Sequence, residues 1–410
     1  MIMNELNFKM ITALMTSIML TCSCEEHEFG NGSPDTGISS DQEVPGTVIC
    51  HYKASSRIFP GSPGICILDD GTYLVSVEEG GPGCPSPKCT DIYASYDKGN
   101  EWTLLSSISD GQAWSNIFEL DGNVYVMGVD APHGNIVIRK SDDKGKSWTK
   151  DVTPDNGLIR SGQFHTAPVP VVIHDGYIYR AFEAFNPDLP VWPKQYNAMI
   201  LSAPVGADLM KSESWETSNQ LIYNSSYLDG YFGGWLEGNA VPGPDNEMKL
   251  VMRVEVPANI EERIAVIDVS ENGKQISFDA ENGFHEMPGG AKKFTIRYDE
   301  KSGRYWTLSN YVKAEHFNMN PGYVRNVLVL CSSVDLKSWI PHVEVLSHPD
   351  VKNHAFQYID WRIDGNDMVF VSRTAYDDRY GGADSYHNAN YITFHRLVDF
   401  RKNISYVYEE

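Results

Sequence analysis

The chain is predicted to fold as an all-β propeller of six or seven blades, each a four-stranded antiparallel sheet. Three observations carry this expectation. Two segments, Ser95-Tyr96-Asp97-Lys98-Gly99-Asn100-Glu101-Trp102 and Ser141-Asp142-Asp143-Lys144-Gly145-Lys146-Ser147-Trp148, share the pattern S-x-D-x-G-x-x-W, each between an apolar run and a Thr. Asp-Gly-like turns between strand-like runs recur along the chain at blade-sized spacing. Aromatics, Gly and Pro are plentiful over 410 residues, which suits many short strands joined by turns.

The repeated segment has a physical logic as a β-turn. The Asp carboxylate and Ser hydroxyl can accept from nearby backbone N–H groups, the Gly takes a positive φ, and the Trp plugs the gap between sheets. Six units then follow one another, each with a strand, a tight turn and a returning strand. Their turns lie at residues 68–75, 120–126, 174–179, 244–251, 300–308 and 363–370. Ser333-Val334-Asp335-Leu336-Lys337-Ser338-Trp339 is a degenerate copy of the repeated turn without the Gly, and Ser212-Glu213-Ser214-Trp215 marks the equivalent place in the third unit. Residues 47–51 and 403–408 alternate like strands and could supply a seventh blade or close the ring.

The N-terminus reads differently. Residues 10–20 are apolar behind Lys9, followed by Thr21-Cys22-Ser23-Cys24 and then Glu25-Glu26-His27-Glu28. A short apolar core ending in small residues is an export signal. It resembles a bacterial lipoprotein signal with Cys24 as the lipidated residue, and the acidic residues after it resemble the surface-export signal of Bacteroidetes lipoproteins. The expected organisation is a signal peptide over 1–24, a flexible tether over 25–45 and one propeller catalytic domain over 46–410. That places the chain at the outer membrane and cell surface through a lipid anchor, or in the periplasm without surface export.

Seven cysteines are present. Cys84 and Cys89 flank a Pro-rich loop of an exported chain and are expected to form a local disulfide. No second Cys/His pair accompanies them, so no metal site is expected there. No cofactor is expected, and a structural calcium is the one ion the sequence leaves open. The net charge of −22 excludes nucleic acid as a partner and requires a local basic pocket if the ligand is an acidic glycan. A monomer is expected.

Blade topology turns this register into a site. Starts of first strands and ends of second strands open on one face, so the repeated turns fall on the other and are structural. The pocket-face positions are rich in polar groups, which are costly to bury unless paired. The candidate catalytic residues are His51, His165, Glu237, Arg373, Tyr376 and His387. The candidate substrate-binding residues are Trp114, Glu183, Trp235, Asn239, Arg253, Lys292, Lys293 and Gln357, with Trp192 as a further sugar platform. Arg and Lys would hold a carboxylate, and His, Tyr or Glu would move protons. Glu237, Glu183, Asp360 and Asp377 could supply the two carboxylates that most glycosidases use.

The repeated turn resembles the Asp-box of sialidases and related carbohydrate-active propellers, and the likeness extends over nearly the whole mature chain. For sialidases this implies an Arg triad, a Tyr/Glu nucleophile pair and an acid Asp. The first such Arg opens the first blade in an R-I-P stretch, whereas here Arg57-Ile58-Phe59-Pro60 falls earlier than the strand opening at Gly61-Ser62-Pro63. The stretches at residues 164–170, 233–241, 289–294, 356–361 and 372–377 resemble a propeller family of Bacteroides and fungi acting on rhamnose linked to glucuronic acid. Its lyase branch carries a His-Asp pair where this chain has Val77-Glu78, and its rhamnosidase branch uses a His on the opposite face, matched here by His51. The resemblance implies an α-L-rhamnosidase acting on rhamnosyl-glucuronate of arabinogalactan or gum arabic. The alternatives are an exo-α-sialidase, a polysaccharide lyase on the same linkage, and a non-catalytic glycan-binding lipoprotein.

Overall fold

The computed structural model describes residues 43–84 and 86–403, so Cys24, the signal and most of the tether lie outside the described residues. Those residues form six antiparallel sheets arranged as a six-bladed propeller, with no α-helix among them. Blade one runs from Phe59–Pro60 and Gly64–Ile67 through Tyr73–Gly80 and Thr90–Ser95 to Thr103–Ile108. Blade two is Ala113–Leu120, Asn123–Val129, Ile136–Ser141 and Leu158–Arg160. Blade three joins Phe164–His165 and Val172–His174 to Tyr177–Phe185, Tyr196–Pro204 and Glu216–Thr217. Blade four is Gly234–Pro242, Met248–Glu255, Arg263–Ser270 and Gln275–Ser277, with Phe284–Glu286 added to the third strand. Blade five is Arg297–Asp299, Arg304–Asn310, Val327–Ser333 and Ile340–Ser347.

Blade six closes the ring. Its first three strands, Ala355–Asp364, Asp367–Ala375 and Tyr391–Leu397, come from the C-terminal part, and the outer strand is Thr47–His51, with Thr47 opposite Phe394. The described residues form no seventh blade: residues 47–51 complete the sixth, and 404–408 lie outside the described residues. Buried apolar side chains lie mainly between neighbouring blades, as between blades three and four around Tyr179, Ala181, Trp235 and Met252. This burial supplies most of the driving force at about 25 cal/mol per Å² of apolar surface.

The repeated turns behave as pins. In the first, the Ser95 hydroxyl donates to Asp97 at 2.8 Å and accepts from the Gly99 N–H at 2.8 Å, while Asp97 also accepts from the Glu101 N–H at 3.0 Å. Gly99 has φ +94°. In the second, the Trp148 indole reaches back to donate to Ser106 Oγ of blade one at 3.0 Å. The degenerate copy keeps the Asp335 bonds, and Leu336 (φ +62°) is left-handed like Lys98 (+63°) and Lys144 (+61°) at the same position of the other two copies, while Lys337 stands where they have Gly. All three join third to fourth strands, at the end of the ring opposite the second-strand ends.

One feature of the inner strands positions the site. The first strands of blades two, four and six each contain a bulge, and each bulge holds one residue at positive φ: Trp114 (+51°), Glu237 (+46°) and Tyr358 (+54°). A left-handed non-Gly residue costs about 1–2 kcal/mol and persists only where its surroundings hold it there. Two residues after each lies a buried amide or carboxylate, Asn116, Asn239 and Asp360. Asn239 accepts from the Ile296 N–H of the next blade at 3.0 Å, and Asp360 accepts from the Ile65 N–H at 2.9 Å, so these side chains staple neighbouring blades together.

Candidate functional site

The end of the ring opposite the repeated turns opens into a cavity of about 570 Å³. Glu78, Trp114, His165, Glu237, Tyr358, Arg373 and His387 line it, and Arg57, Ser62 and Asp384 complete its polar wall. All three left-handed bulge residues therefore face one space. A second cavity of about 340 Å³ lies around Phe118, Glu119, Ile178 and Arg362, with Asp69 also in its wall.

The surroundings of two carboxyl groups in the large cavity shift their proton affinities in opposite directions. Burial pushes the Glu78 carboxyl up, only partly offset by the Trp114 N–H that donates to it at 2.5 Å and by the Arg373 charge. Gly61 makes room for this side chain, since a Cβ there would sit 2.0 Å from the Glu78 Cγ. Burial acts in the same sense on Glu237, but the Arg253 guanidinium, 2.7 Å away, and His165 together bring that carboxyl below the usual range. Arg253 is fixed from behind by Glu255 at 3.3 Å and the Ala291 carbonyl at 2.9 Å.

Tyr358 sits between two guanidinium groups, Arg373 at 5.3 Å and Arg325 at 5.5 Å from its ring centre. Arg325 is locked by Gln357, which accepts from it, and by the Gly322 carbonyl at 2.8 Å. Arg373 donates to the His387 carbonyl, while its Nε has no partner among the described residues. The Arg373 charge, followed by burial and Arg325, drives the His387 imidazole down to about 4 and so keeps it neutral.

On the other wall the His165 and Glu183 side chains meet at 2.7 Å, and the His165 ring stacks on Tyr196 at 4.3 Å between ring centres. The Tyr196 hydroxyl lies 2.8 Å from His133 Nε2, and Trp114 meets His165 edge-on at 4.8 Å. The second Glu183 oxygen accepts from the Gly238 N–H at 3.3 Å, so one fully buried carboxylate ties His165 to the bulge that carries Glu237.

Of the residues selected from sequence, Trp114, His165, Glu237, Arg373 and His387 meet in the cavity, with Glu183, Arg253 and Gln357 directly behind them. Several others are placed elsewhere. His51 lies on the outer strand of blade six at 2.7 Å from Asp378, on the cavity end of the ring and not the opposite end, but outside the cavity lining. Tyr376 turns away into a packing contact with His354 at 5.0 Å. Trp235 is fully buried among Phe232, Phe278 and Tyr227, with its indole donating to the Ile222 carbonyl, so it is core and not a sugar platform.

Asn239 is an inter-blade staple, and Lys292 is buried against Glu262. Lys293 is buried and donates to Thr295 and the Ile359 carbonyl, its ammonium brought down to about 8 by burial. Asp360 is fully buried and bound to Arg297, and Trp192 is exposed outside the cavity lining. Cys84 and Cys89 are thiols, not a disulfide. The first donates to the Glu79 carbonyl at 3.2 Å and the second to Asp91 at 3.6 Å, so the two sulfurs serve different partners. Among the described residues no group of three or more His, Cys, Asp and Glu side chains could hold a metal ion.

Sequence reading puts Glu78 among the pocket-face ends of second strands without selecting it as a site residue, and it leaves out Tyr358, Arg325, His133 and Tyr196. Glu78 lies near the end of the second strand Tyr73–Gly80, in the pocket-face register, which was the signal for it. Tyr358 had only its neighbours Gln357 and Asp360 to mark it, because nothing in a Tyr codon position announces a left-handed bulge.

No protein-family model matches the sequence, and no curated protein matches it. Solved structures share the fold. A protein of unknown function from Dyadobacter fermentans is 11% identical, with a TM-score of 0.55 over 87% of this chain and 100% of that one. The Hadza microbial sialidase Hz136 is 11% identical, with a TM-score of 0.57 over 86% of this chain and 68% of that one. The α-L-arabinanase of Penicillium chrysogenum, solved with arabinobiose, is 12% identical, with a TM-score of 0.52 over 87% of this chain and 98% of that one. At these identities the likeness establishes the propeller fold.

Proposed function

We propose that the chain is an exo-acting glycoside hydrolase that releases a terminal sugar from an acidic glycan. The observation that carries this reading is the pair Glu78 and Glu237, two carboxyl groups in one cavity whose surroundings push their protonation in opposite directions. Such a pair assigns the acid and the base. Glu78 donates its proton to the glycosidic oxygen as the bond to the anomeric carbon breaks. Glu237 accepts the proton of the attacking Tyr358 phenol, and Arg253 acts electrostatically on both. Water then attacks the anomeric carbon and gives its proton to the now ionised Glu78, while the Tyr358 oxygen leaves and takes back the proton held by Glu237. The solved sialidase and arabinanase propellers are consistent with a hydrolase on this scaffold.

Arg373 and Arg57, with Arg325 behind Tyr358, supply the positive wall that an anionic sugar needs in a chain of net charge −22. This favours a carboxylate on the released sugar, as in sialic acid. A second reading, release of rhamnose from glucuronate, is favoured by the Trp114 and His165 wall, which offers an apolar face to a deoxy sugar while the arginines hold the uronate. A lipid anchor at Cys24 would present the cavity to glycans outside the cell.

Incubation with sialyllactose, gum arabic and ulvan tests the proposal. Free sialic acid is expected under the first reading and free rhamnose under the second. An unsaturated uronate, or binding with no product, would overturn hydrolysis. Arg373→Ala is expected to raise KM for the active acidic substrate roughly ten- to hundredfold, the range for a lost charged hydrogen bond.

A further inference from the structure

An aromatic track leaves the cavity on the side of blades five and six. His387, which lines the cavity, lies 6.5 Å from the Tyr386 ring, and Tyr386 lies 6.2 Å from Tyr323. Tyr323 is 48% exposed, so its ring is open to a ligand at the end of this track. Both rings stand on loops that join second to third strands, at the cavity end of the propeller. The Arg325 guanidinium sits under this track, 5.7 Å from the Tyr386 ring centre and 5.5 Å from Tyr358, the residue proposed as nucleophile. The track is thus continuous with the reaction site and carries one cation along its length.

The two tyrosines are held rather than free to collapse. The Tyr386 carbonyl accepts from Gln357 at 2.5 Å, and its N–H donates to the Lys352 carbonyl at 2.6 Å. Tyr323 closes the short helical turn Pro321–Tyr323, whose preceding residue Asn320 caps it by accepting from the Gly322 N–H at 2.8 Å. Tyrosine presents a rigid, flat, amphipathic surface at low conformational cost, which suits the apolar face of a pyranose ring.

The geometry points to a binding track for the leaving portion of the substrate: Tyr386 and Tyr323 stack the sugars that follow the scissile bond, so the natural substrate is the end of an extended acidic glycan and not a free disaccharide. This rests on the hydrolase reading of the cavity. The occupant is a glycan chain because the track begins at the proposed reaction site, is aromatic, and has the Arg325 charge beneath it for acidic units.

The test compares wild type with Tyr323→Ala on two kinds of substrate. Gum arabic and colominic acid serve as polymers, and 4-nitrophenyl α-L-rhamnoside and 4-methylumbelliferyl sialoside serve as single-sugar probes. Tyr323→Ala is expected to lower kcat/KM on the hydrolysed polymer by roughly three- to tenfold, as for loss of one aromatic stacking contact, and to leave the single-sugar probe unchanged. An equal loss on both substrates, or no loss on the polymer, overturns the track. Affinity electrophoresis of Glu237→Gln and of Glu237→Gln/Tyr323→Ala in gels containing each polymer gives a readout independent of turnover. Retarded migration that Tyr323→Ala abolishes upholds the track even if wild type hydrolyses nothing, which would instead sink the hydrolase reading. Equal migration of both variants overturns the track.

Discussion

Glu237→Gln is expected to lower turnover by roughly a hundred- to ten-thousandfold, with the protein still folded, because it removes the base while keeping the shape of the side chain. Glu78→Gln is expected to cost a similar factor on substrates with a poor leaving group and far less on an aryl glycoside, whose leaving group needs no proton. The pH dependence follows from the two environments. Glu78 must be protonated to act, so activity is lost as pH rises through its raised pKa. Glu237 must be ionised, so activity is lost as pH falls through its lowered pKa. The profile of kcat/KM should therefore be bell-shaped, and Glu78→Gln should remove its alkaline limb. Loss of the acid limb in Glu78→Gln would reverse the assignment.

Asp360→Ala is expected to destabilise the propeller by about 3–5 kcal/mol, the range for breaking a buried ion pair. Its carboxylate accepts from the Ile65 N–H of blade one and the Asn116 amide of blade two, and binds Arg297 of blade five at 3.0 Å. One fully buried side chain on blade six therefore joins three other blades at the axis. Burial raises the Asp360 carboxyl, but Arg297, Arg362 and Lys293 together hold it below the usual range. Its contribution is thus present at neutral pH and is lost as pH falls through that lowered value. Urea denaturation of wild type, Asp360→Asn and Asp360→Ala measures the effect. Asp360→Asn should fall between the other two, since an amide still accepts but leaves Arg297 unpaired. A loss under about 1 kcal/mol in Asp360→Ala, an ordinary surface-level effect, would contradict the hub role.

The ring was legible because its determinants are local. Asp-Gly turns and the Ser-Asp-Gly-Trp pins depend on a few adjacent residues, and together they set which ends of the strands share a face. The number of blades was not legible, because the outer strand of blade six is supplied by residues 47–51, and nothing local in that segment says which edge it will join.

The site was legible only in part, and the reason is the bulges. In a regular strand Trp235, Glu237 and Asn239 would point the same way, and the sequence reading placed all three in the pocket. The shift between Leu236 and Asn239 breaks that alternation, so Trp235 packs between blades, Glu237 enters the cavity and Asn239 staples blade five. The same shift between Gln357 and Asp360 turns Tyr358 into the cavity. Arg325 stands just before a third strand, where neither periodicity nor turn chemistry marks it, and only the folded loop brings it over Tyr358. Tyr376 lies one residue past its strand, where register no longer governs direction.

The opposite shifts of Glu78 and Glu237 are the core of the proposed chemistry, and they can be measured without a substrate. Protein labelled with ¹³C at the Glu carboxyl carbon, titrated by NMR and assigned with Glu78→Gln and Glu237→Gln, reports each group directly. Glu78 is expected to titrate above the ordinary glutamate range and Glu237 below it. Glu237 titrating above Glu78, or both titrating together as ordinary solvated glutamates, would contradict the acid and base roles assigned to them.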